Sequence, residues 1–541
     1  MTWTVMPDYD TYEEARAAFE WDLPASYNPG VDFLGKHDAD AVALRLDRDG
    51  DVETFTFGAL DRRSDALAGA LADLGVEVGD RVGVMAPQRP ETLLAHCAAW
   101  KRGAVTVPLT TLFGPDALEH RLADAGARAV VVDPSVRDTV AAVRDRCPDL
   151  EHVIELDGAS GDARAFDALV ADGPESFAAH DATPATPSAI MYTSGSTGPP
   201  KGVHHSHALW LGRAAAAYNF FEQGLGPDAV CWTPASWAWG GALGGLVFAG
   251  WHHGATVVGA PMGSFDPERA FRVLERHDVT HAFVPPTALR MLMGVEAPAD
   301  RYDLSLSVLA AAGEPLTPEI LTWADGELGV PVNEFYGQTE LNLVVATCGQ
   351  WFDARPGSMG KPLPGYDVTV RDVETGAEVA PGELGEIAVR PHDDRVVFDE
   401  YRGLPEKTAA KQRDGWYLTG DLAERDEAGY LWFKSRKDDL IITSGYRVGP
   451  GEVEEAILEH PDVEQAGVVG VPDETRGEII RAYVKPATDR DEDDLRAAIR
   501  DLVRERLAKY EYPREIVFVE ELPQTSTGKI RRADLRDQEQ G

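Results

Sequence analysis

Apolar and polar positions change their period several times along the chain, and the changes mark out its elements. Arg81–Ala86 is a short apolar run that predicts a buried strand. Glu91–Arg102 repeats apolar residues at helical spacing, and Ala104–Pro108 is strand-like again. Ala117–Ala125 then predicts a helix and Ala129–Val132 a strand. Such alternation predicts a parallel sheet with helices on its faces. Residues 158–188, rich in Asp, Ala, Gly and Pro, read as a solvated connector, and a second α/β stretch runs from about Ile190 to Val345. From Gly357 to Phe433, short β-rich pieces such as Gly385–Val389 are broken by glycines and prolines, which predicts a small barrel or sheet. Beyond Lys434 the pattern predicts a helix at Glu452–Glu459, strands at Ala466–Val471 and Ile479–Val484, a strongly periodic helix at Asp493–Leu507 and a last strand at Ile516–Val519. The expected fold class is α/β: residues 1–437 form a large domain of two α/β subdomains plus a small β-barrel, and residues 438–541 a small α+β domain.

Length agrees with more than one core, since 541 residues exceed what one core supports. Charge narrows the setting further. With 91 Asp and Glu against 51 Lys and Arg, the net charge is -40, spread along the chain rather than gathered in a tail. A uniformly acidic surface of this kind resembles salt-adapted proteins. It excludes the basic face that nucleic-acid binding requires. The four cysteines (Cys97, Cys147, Cys231 and Cys348) form no CxxC pair and read as buried free thiols in a reducing compartment. Residues 1–24 are acidic without a long apolar run, unlike a signal peptide. The glycine-rich stretch Gly240–Gly250 comes nearest to a membrane span and is too short. A cytoplasmic location without membrane insertion is expected.

The densest chemistry lies at residues 192–202, Tyr-Thr-Ser-Gly-Ser-Thr-Gly-Pro-Pro-Lys-Gly, directly after the apolar Ala189-Ile190-Met191. Gly195 and Gly198 permit backbone conformations closed to other residues. Exposed N–H groups and the hydroxyls of Thr193, Ser194, Ser196 and Thr197 suit oxyanions, and Lys201 adds a charge. The run differs from the common P-loop, which has Ser or Thr after its Gly-Lys.

Further polar clusters follow in order: Ala312-Gly313-Glu314-Pro315-Leu316, Asn333 to Glu340 (NEFYGQTE), Trp416 to Asp421 (WYLTGD), Arg436-Lys437-Asp438-Asp439, Gly445 to Gly449 (GYRVG) and Pro523 to Lys529 (PQTSTGK). Together with the glycine-rich loop they resemble the adenylate-forming enzymes, and the resemblance covers nearly the whole chain. Tyr336-Gly337-Gln338-Thr339-Glu340 and Pro356-Gly357-Ser358-Met359-Gly360 are most similar to medium-chain acyl-CoA synthetases.

That resemblance implies an acid activated by ATP to an acyl-AMP and passed to coenzyme A, with Mg2+ as metal. It implies that Thr193 to Lys201 hold the β and γ phosphates, Thr339 the α-phosphate and Glu340 the magnesium. Gly313, Glu314, Pro315 and Tyr336 would form the adenine slot with Glu334 near its edge, Phe335 would be among the ATP-binding residues, and Asp421 and Arg436 would bind the ribose. Lys529 would be the catalytic cation, and Asp438 the hinge of a mobile C-terminal domain. Gly445, Tyr446 and Arg447 would meet coenzyme A. Gly337 stands where acetyl-specific relatives carry tryptophan, so it should leave room for a longer acyl chain beside Gly240. Trp237 and Trp239 line that pocket or belong to the core. Ser435 departs from the family's usual glycine. The basic residues Arg504, Arg506, Lys509, Arg514, Arg531 and Arg532 either attract coenzyme A phosphates or form surface ion pairs. His204, His205 and His207 lack a second ligand cluster and read as core or surface residues rather than a metal site. An enzyme that loads a carrier protein is the alternative function, and the oligomeric state is unreadable.

Overall fold

A computed structural model of the chain describes residues 3–193, 199–314, 316–443, 446–473, 476–488, 491–507, 511–524 and 530–537, with Tyr446 and Arg447 described by their backbone. The described residues fall into two compact units. One comprises 3–193, 199–368 and 389–417, the other 369–388 and 418–537.

The first unit holds two large sheets. In one, strands Arg164–Ala165, His152–Glu155, Ala127–Val132, Arg81–Met85, Val105–Pro108 and Pro187–Thr193 run parallel, in that spatial order. Lys201–Ser206 and then Phe398–Tyr401 extend the edge antiparallel. Continuous apolar strands such as Val130–Val132 are buried from both faces, as parallel sheets require. The helix Pro90–Arg102 between two of them ends at Gly103, whose φ of 83° is left-handed.

The connector is the main local difference. Phe166–Asp172 is a helix whose Phe166 is fully buried, and a Cβ on Gly173 would sit 2.3 Å from the Ala66 carbonyl oxygen. One buried aromatic in a polar segment fastens it to the helix Phe57–Asp73, a contact that composition does not reveal.

The second sheet runs Lys361–Pro362, Asn342–Ala346, Val332–Gln338, Val308–Ala311, His281–Phe283, Val230–Trp232, Thr256–Gly259, Val42–Arg48, Asp51–Thr56, with the central strands parallel. Its core gathers Trp232, Phe271, Leu274 and Leu289, among others.

In the second unit, Val463–Asp473 and Gly477–Pro486 form a long antiparallel pair, and Glu515–Phe518 joins in parallel. Helices Pro450–Leu458 and Glu492–Arg506 share a core with these strands through Val453, Ile457, Leu495, Ile499 and Val503. Asp491 caps the second helix by accepting from the Asp493 and Asp494 amides.

Candidate active site

Antiparallel pairing sets Tyr192 opposite Gly202 and Thr193 opposite Lys201, so the glycine-rich loop leaves and re-enters the first sheet at adjacent points. Ser194, Gly195, Ser196, Thr197 and Gly198 lie outside the described residues. The stem is firmly held. Tyr192 Oη donates to Asp124 Oδ2 at 2.6 Å, and His120 Nε2 lies 2.8 Å from the Pro200 carbonyl oxygen. Burial and the Asp124 carboxylate push the Tyr192 phenol well above its ordinary value.

Lys201 Nζ lies 4.8 Å from the ring centre of Tyr401, which faces Val203 across the edge of the sheet. Tyr401 is only 1% exposed, and its Oη donates to Glu340 Oε1 at 2.5 Å. The Glu340 carbonyl accepts from the Phe398 amide at 2.9 Å, which fixes the residue from its backbone as well. Among the described residues, Glu340 Oε2 has no hydrogen-bond or ion-pair partner. A buried carboxylate with one oxygen held and the other open is a suitable donor for a hard divalent cation. No group of three metal-ligating side chains occurs among the described residues. Tyr401 escaped the sequence reading because its partners are 61 and 200 residues away and no local spacing encodes them.

The second sheet presents the next group. Side chains alternate along Val332–Gln338, so Glu334 and Tyr336 share one face and Phe335 takes the other. Phe335 stacks on Phe220 at 4.3 Å between centroids and lies 5.1 Å from Phe283. Its ring is thus a core element. Burial pushes the Glu334 carboxyl up to about 8, so it carries a proton at neutral pH and can donate a hydrogen bond. Gly313 takes φ 98° just after the strand Val308–Ala311, at the carboxyl end of the parallel strands where open α/β sheets bind ligands. The Glu314 carboxylate is already engaged by Thr287 Oγ1 at 2.9 Å and Arg290 Nη2 at 2.8 Å. Pro315 lies outside the described residues.

Two of the acyl-pocket candidates are closely packed. A Cβ on Gly337 would lie 1.9 Å from the Asn342 carbonyl oxygen and 2.9 Å from Leu343 Cα. The space beside Gly337 is therefore filled by backbone, because a bulge between Tyr336 and Gly337 draws the following strand close. Trp237 is fully buried against Gly259 and belongs to the core. Trp239 is half-buried, 5.2 Å from Phe283, and Gly240 offers its carbonyl to the Arg213 guanidinium. Of the histidines, His207 Nδ1 lies 3.1 Å from the Tyr27 carbonyl oxygen, inside the core.

In the second unit, Asp421 lies opposite Arg436 on paired strands, and Arg436 Nε is 3.1 Å from Asp421 Oδ1. Asp421 is buried while the Arg436 side chain is 44% exposed, so the pair presents a buried carboxylate beside a partly exposed cation. Asp438 sits in the short turn Lys437–Asp439, and its carbonyl accepts from Arg536 at 3.3 Å. Four members of the basic island are committed to ion pairs. Arg504 meets Asp501 at 3.5 Å, Arg506 meets Glu459 at 2.5 Å, Arg531 meets Asp534 at 2.8 Å, and Arg532 meets Glu454 at 2.5 Å. Arg514 instead lies 5.1 Å from the Tyr512 ring centre. Tyr446 and Arg447 lie on a strand opposite Thr443 and Ile442. Gly445, Lys509 and Lys529 lie outside the described residues.

The paired stem Tyr192 to Lys201 and the buried Glu340, linked through Tyr401, accompany the motifs of the AMP-binding class of enzymes. The chain belongs to the AMP-binding enzyme family: that family matches residues 34–401, and its C-terminal domain matches residues 452–529. It is similar to the mitochondrial acyl-coenzyme A synthetase ACSM3 of Mus musculus, 32% identical over 98% of this chain and 94% of the relative. Among solved structures it is similar to the anthranilate CoA ligase AuaEII in complex with anthranoyl-AMP (TM-score 0.87, 28% identity, 96% of this chain and 98% of that one). It is likewise similar to an acyl-CoA synthetase of Brucella canis (TM-score 0.76, 33% identity, 98% and 99%). No helix among the described residues is long and apolar enough to cross a membrane. All four cysteines are buried free thiols.

Proposed function

We propose that the chain is an AMP-forming acyl-CoA synthetase for short- to medium-chain carboxylic acids. A carboxylate oxygen attacks the α-phosphorus of ATP, and the bond to the β-phosphate oxygen breaks to give acyl-AMP and pyrophosphate. The coenzyme A thiol then attacks the acyl carbonyl, loses its proton and expels AMP. The observation that carries this reading is the array of Lys201, Tyr401 and Glu340 at the root of the glycine-rich loop: a cation over the ring that anchors a buried carboxylate.

Residue roles follow from chemistry. Charge builds on non-bridging oxygens during attack, so the site acts mainly by positioning and electrostatics. Thr193 and Lys201, with Ser194 to Gly198, hold the β and γ phosphates, and Thr339 the α-phosphate. Mg2+, held by Glu340, would neutralise phosphate charge when bound. Tyr401 fixes the Glu340 oxygen and keeps the carboxylate from turning away. Gly313 gives adenine a backbone wall against Tyr336, while Glu334 in its protonated form can donate to a ring nitrogen. Asp421 accepts from the ribose hydroxyls with Arg436 beside it. Lys529 bridges the developing charge, and residues 438–541 pivot at Asp438 between the two steps, a gating motion set by few torsions. Gly445 to Arg447 then serve coenzyme A. The net charge of -40 fits a salt-adapted, cytoplasmic enzyme.

The deciding experiment is release of AMP and pyrophosphate from ATP and Mg2+ with aliphatic acids of graded length and aromatic acids, with and without coenzyme A. Turnover that depends on coenzyme A, with one chain-length optimum, is expected. Adenylate formation indifferent to coenzyme A would replace this acceptor with a carrier protein or another nucleophile. Silence across the panel would overturn acid activation.

A further inference from the structure

Beside the acyl-pocket candidates lies a cation with no counter-charge among the described residues. Arg213, on the helix Ala208–Phe220, is 3% exposed, and no described carboxylate pairs with it. One guanidinium nitrogen donates to the Gly240 carbonyl, another lies 3.9 Å from Met191 Sδ, and Nε has no partner. Glycines make the room for it. A Cβ on Gly244 would lie 2.2 Å from Arg213 Cδ, and one on Gly240 would lie 3.1 Å from Nη1.

The surrounding polar groups are unsatisfied too. Tyr366 Oη is buried without a hydrogen-bond partner and lies close enough to act on the Arg213 charge. Neither ring nitrogen of the buried His205 makes a hydrogen bond of good geometry, although Arg213 and the Thr339 backbone are its neighbours. Burial beside Arg213 lowers His205 to about 3, so its ring is neutral and offers one N–H. Buried polar atoms are normally paired, and a buried guanidinium is strongly unfavourable until an anion completes it. Among the described residues, Arg213 Nε–H and the Tyr366 phenol are donors in want of an acceptor, and an oxyanion supplies one. The cluster borders Met191, two residues before Thr193, and Gly240, next to Trp239. Gly240 and Trp239 are positions expected above to border the acyl chain.

We propose that Arg213 receives a carboxylate of the acid substrate and is the polar anchor of the acyl site. This rests on the acid-activating reading above. Two sources share the chemistry: the reacting carboxylate itself, or a second carboxylate at the far end of a dicarboxylic acid.

The test compares the full-length chain with Arg213→Met and Arg213→Lys, using pyrophosphate release with butyrate, hexanoate, succinate and adipate at saturating ATP and Mg2+. Arg213→Met is expected to lower kcat/KM for acid about ten- to a hundredfold, with KM for ATP unchanged and partial recovery in Arg213→Lys. Equal loss for mono- and diacids assigns the reacting carboxylate, and loss confined to diacids assigns a second one. A folded variant with wild-type acid kinetics overturns the proposal while leaving acid activation intact, whereas a silent wild-type enzyme removes both. If Arg213→Met does not fold, thermal protection of the wild-type chain by hexanoate and by hexanamide, without ATP, replaces it. Selective protection by the carboxylate is expected, and equal protection overturns the proposal.

Discussion

Tyr401 donates its phenolic hydrogen to Glu340 Oε1 across 2.5 Å, and the same ring lies under Lys201. The strand that follows the glycine-rich segment and the Glu340 carboxylate are therefore coupled through one buried aromatic side chain. Either residue alone would be loosely aimed: lysine has a flexible four-carbon stem, and a carboxylate turns freely about its last bond. Tyr401 holds one carboxylate oxygen and sets its ring against the lysine.

Tyr401→Phe keeps the ring and deletes the hydroxyl. Loss of a hydrogen bond to a charged group should lower the adenylation rate about tenfold or more and raise the Mg2+ concentration needed for half-maximal rate. The acid KM should hold. Titration of Mg2+ in the pyrophosphate assay, with protection of the ATP-bound chain against unfolding by Mg2+ as a second readout, checks this. An unchanged Mg2+ dependence would reduce Tyr401 to packing.

Lys529→Ala should lower acyl-AMP formation by on the order of a hundredfold or more, as removal of one charge-stabilising group does elsewhere. Thioester formation from preformed acyl-AMP should be largely spared. Separate assays of the two half-reactions decide it, and equal loss in both would contradict a lysine used in one pose only.

Glu334 makes a pH prediction with a definite sign. Burial raises its carboxyl from 4.5 to about 8, so between these values the folded chain keeps a proton that the unfolded chain has lost. Stability then falls as pH rises through that window, by up to about 1.4 kcal/mol per pH unit from this group. Glu334→Gln should flatten the slope and leave the variant more stable than wild type above pH 8, as thermal melts from pH 5 to 9 would reveal. Identical slopes would mean the carboxyl is ionised in the folded chain.

Gly337→Ala should destabilise rather than merely reshape the acyl site, because its Cβ meets the Asn342 carbonyl oxygen at 1.9 Å. A cost of about 1–3 kcal/mol is expected for such overpacking. A lowered melting temperature with a similar chain-length profile is the expected result. An intact melting temperature with a shift toward shorter acids would restore the pocket role.

The acidic surface predicts inactivation at low ionic strength. Activity should rise with KCl well beyond the range in which screening saturates for ordinary enzymes. Full activity in dilute buffer would reject salt adaptation.

Much of this architecture is legible along the chain because its signals are local. Apolar runs such as Arg81–Met85 and the periodic Glu492–Arg506 helix declare themselves through neighbours two to four positions away. The glycine-rich loop and the Tyr336 to Glu340 run are contiguous, so residue type and order alone are enough to carry the resemblance to the AMP-binding family that the family match bears out. Tertiary structure alone decided which of these residues meet. It brought Tyr401 to Glu340, buried Phe335 and Trp237, closed the backbone around Gly337, tied Arg532 to Glu454 and enclosed Arg213 without an acid. Each is a contact between residues distant in the chain or a matter of which face a side chain takes. Such contacts depend on sheet order, a bulge or close packing, none of which leaves a local period to read.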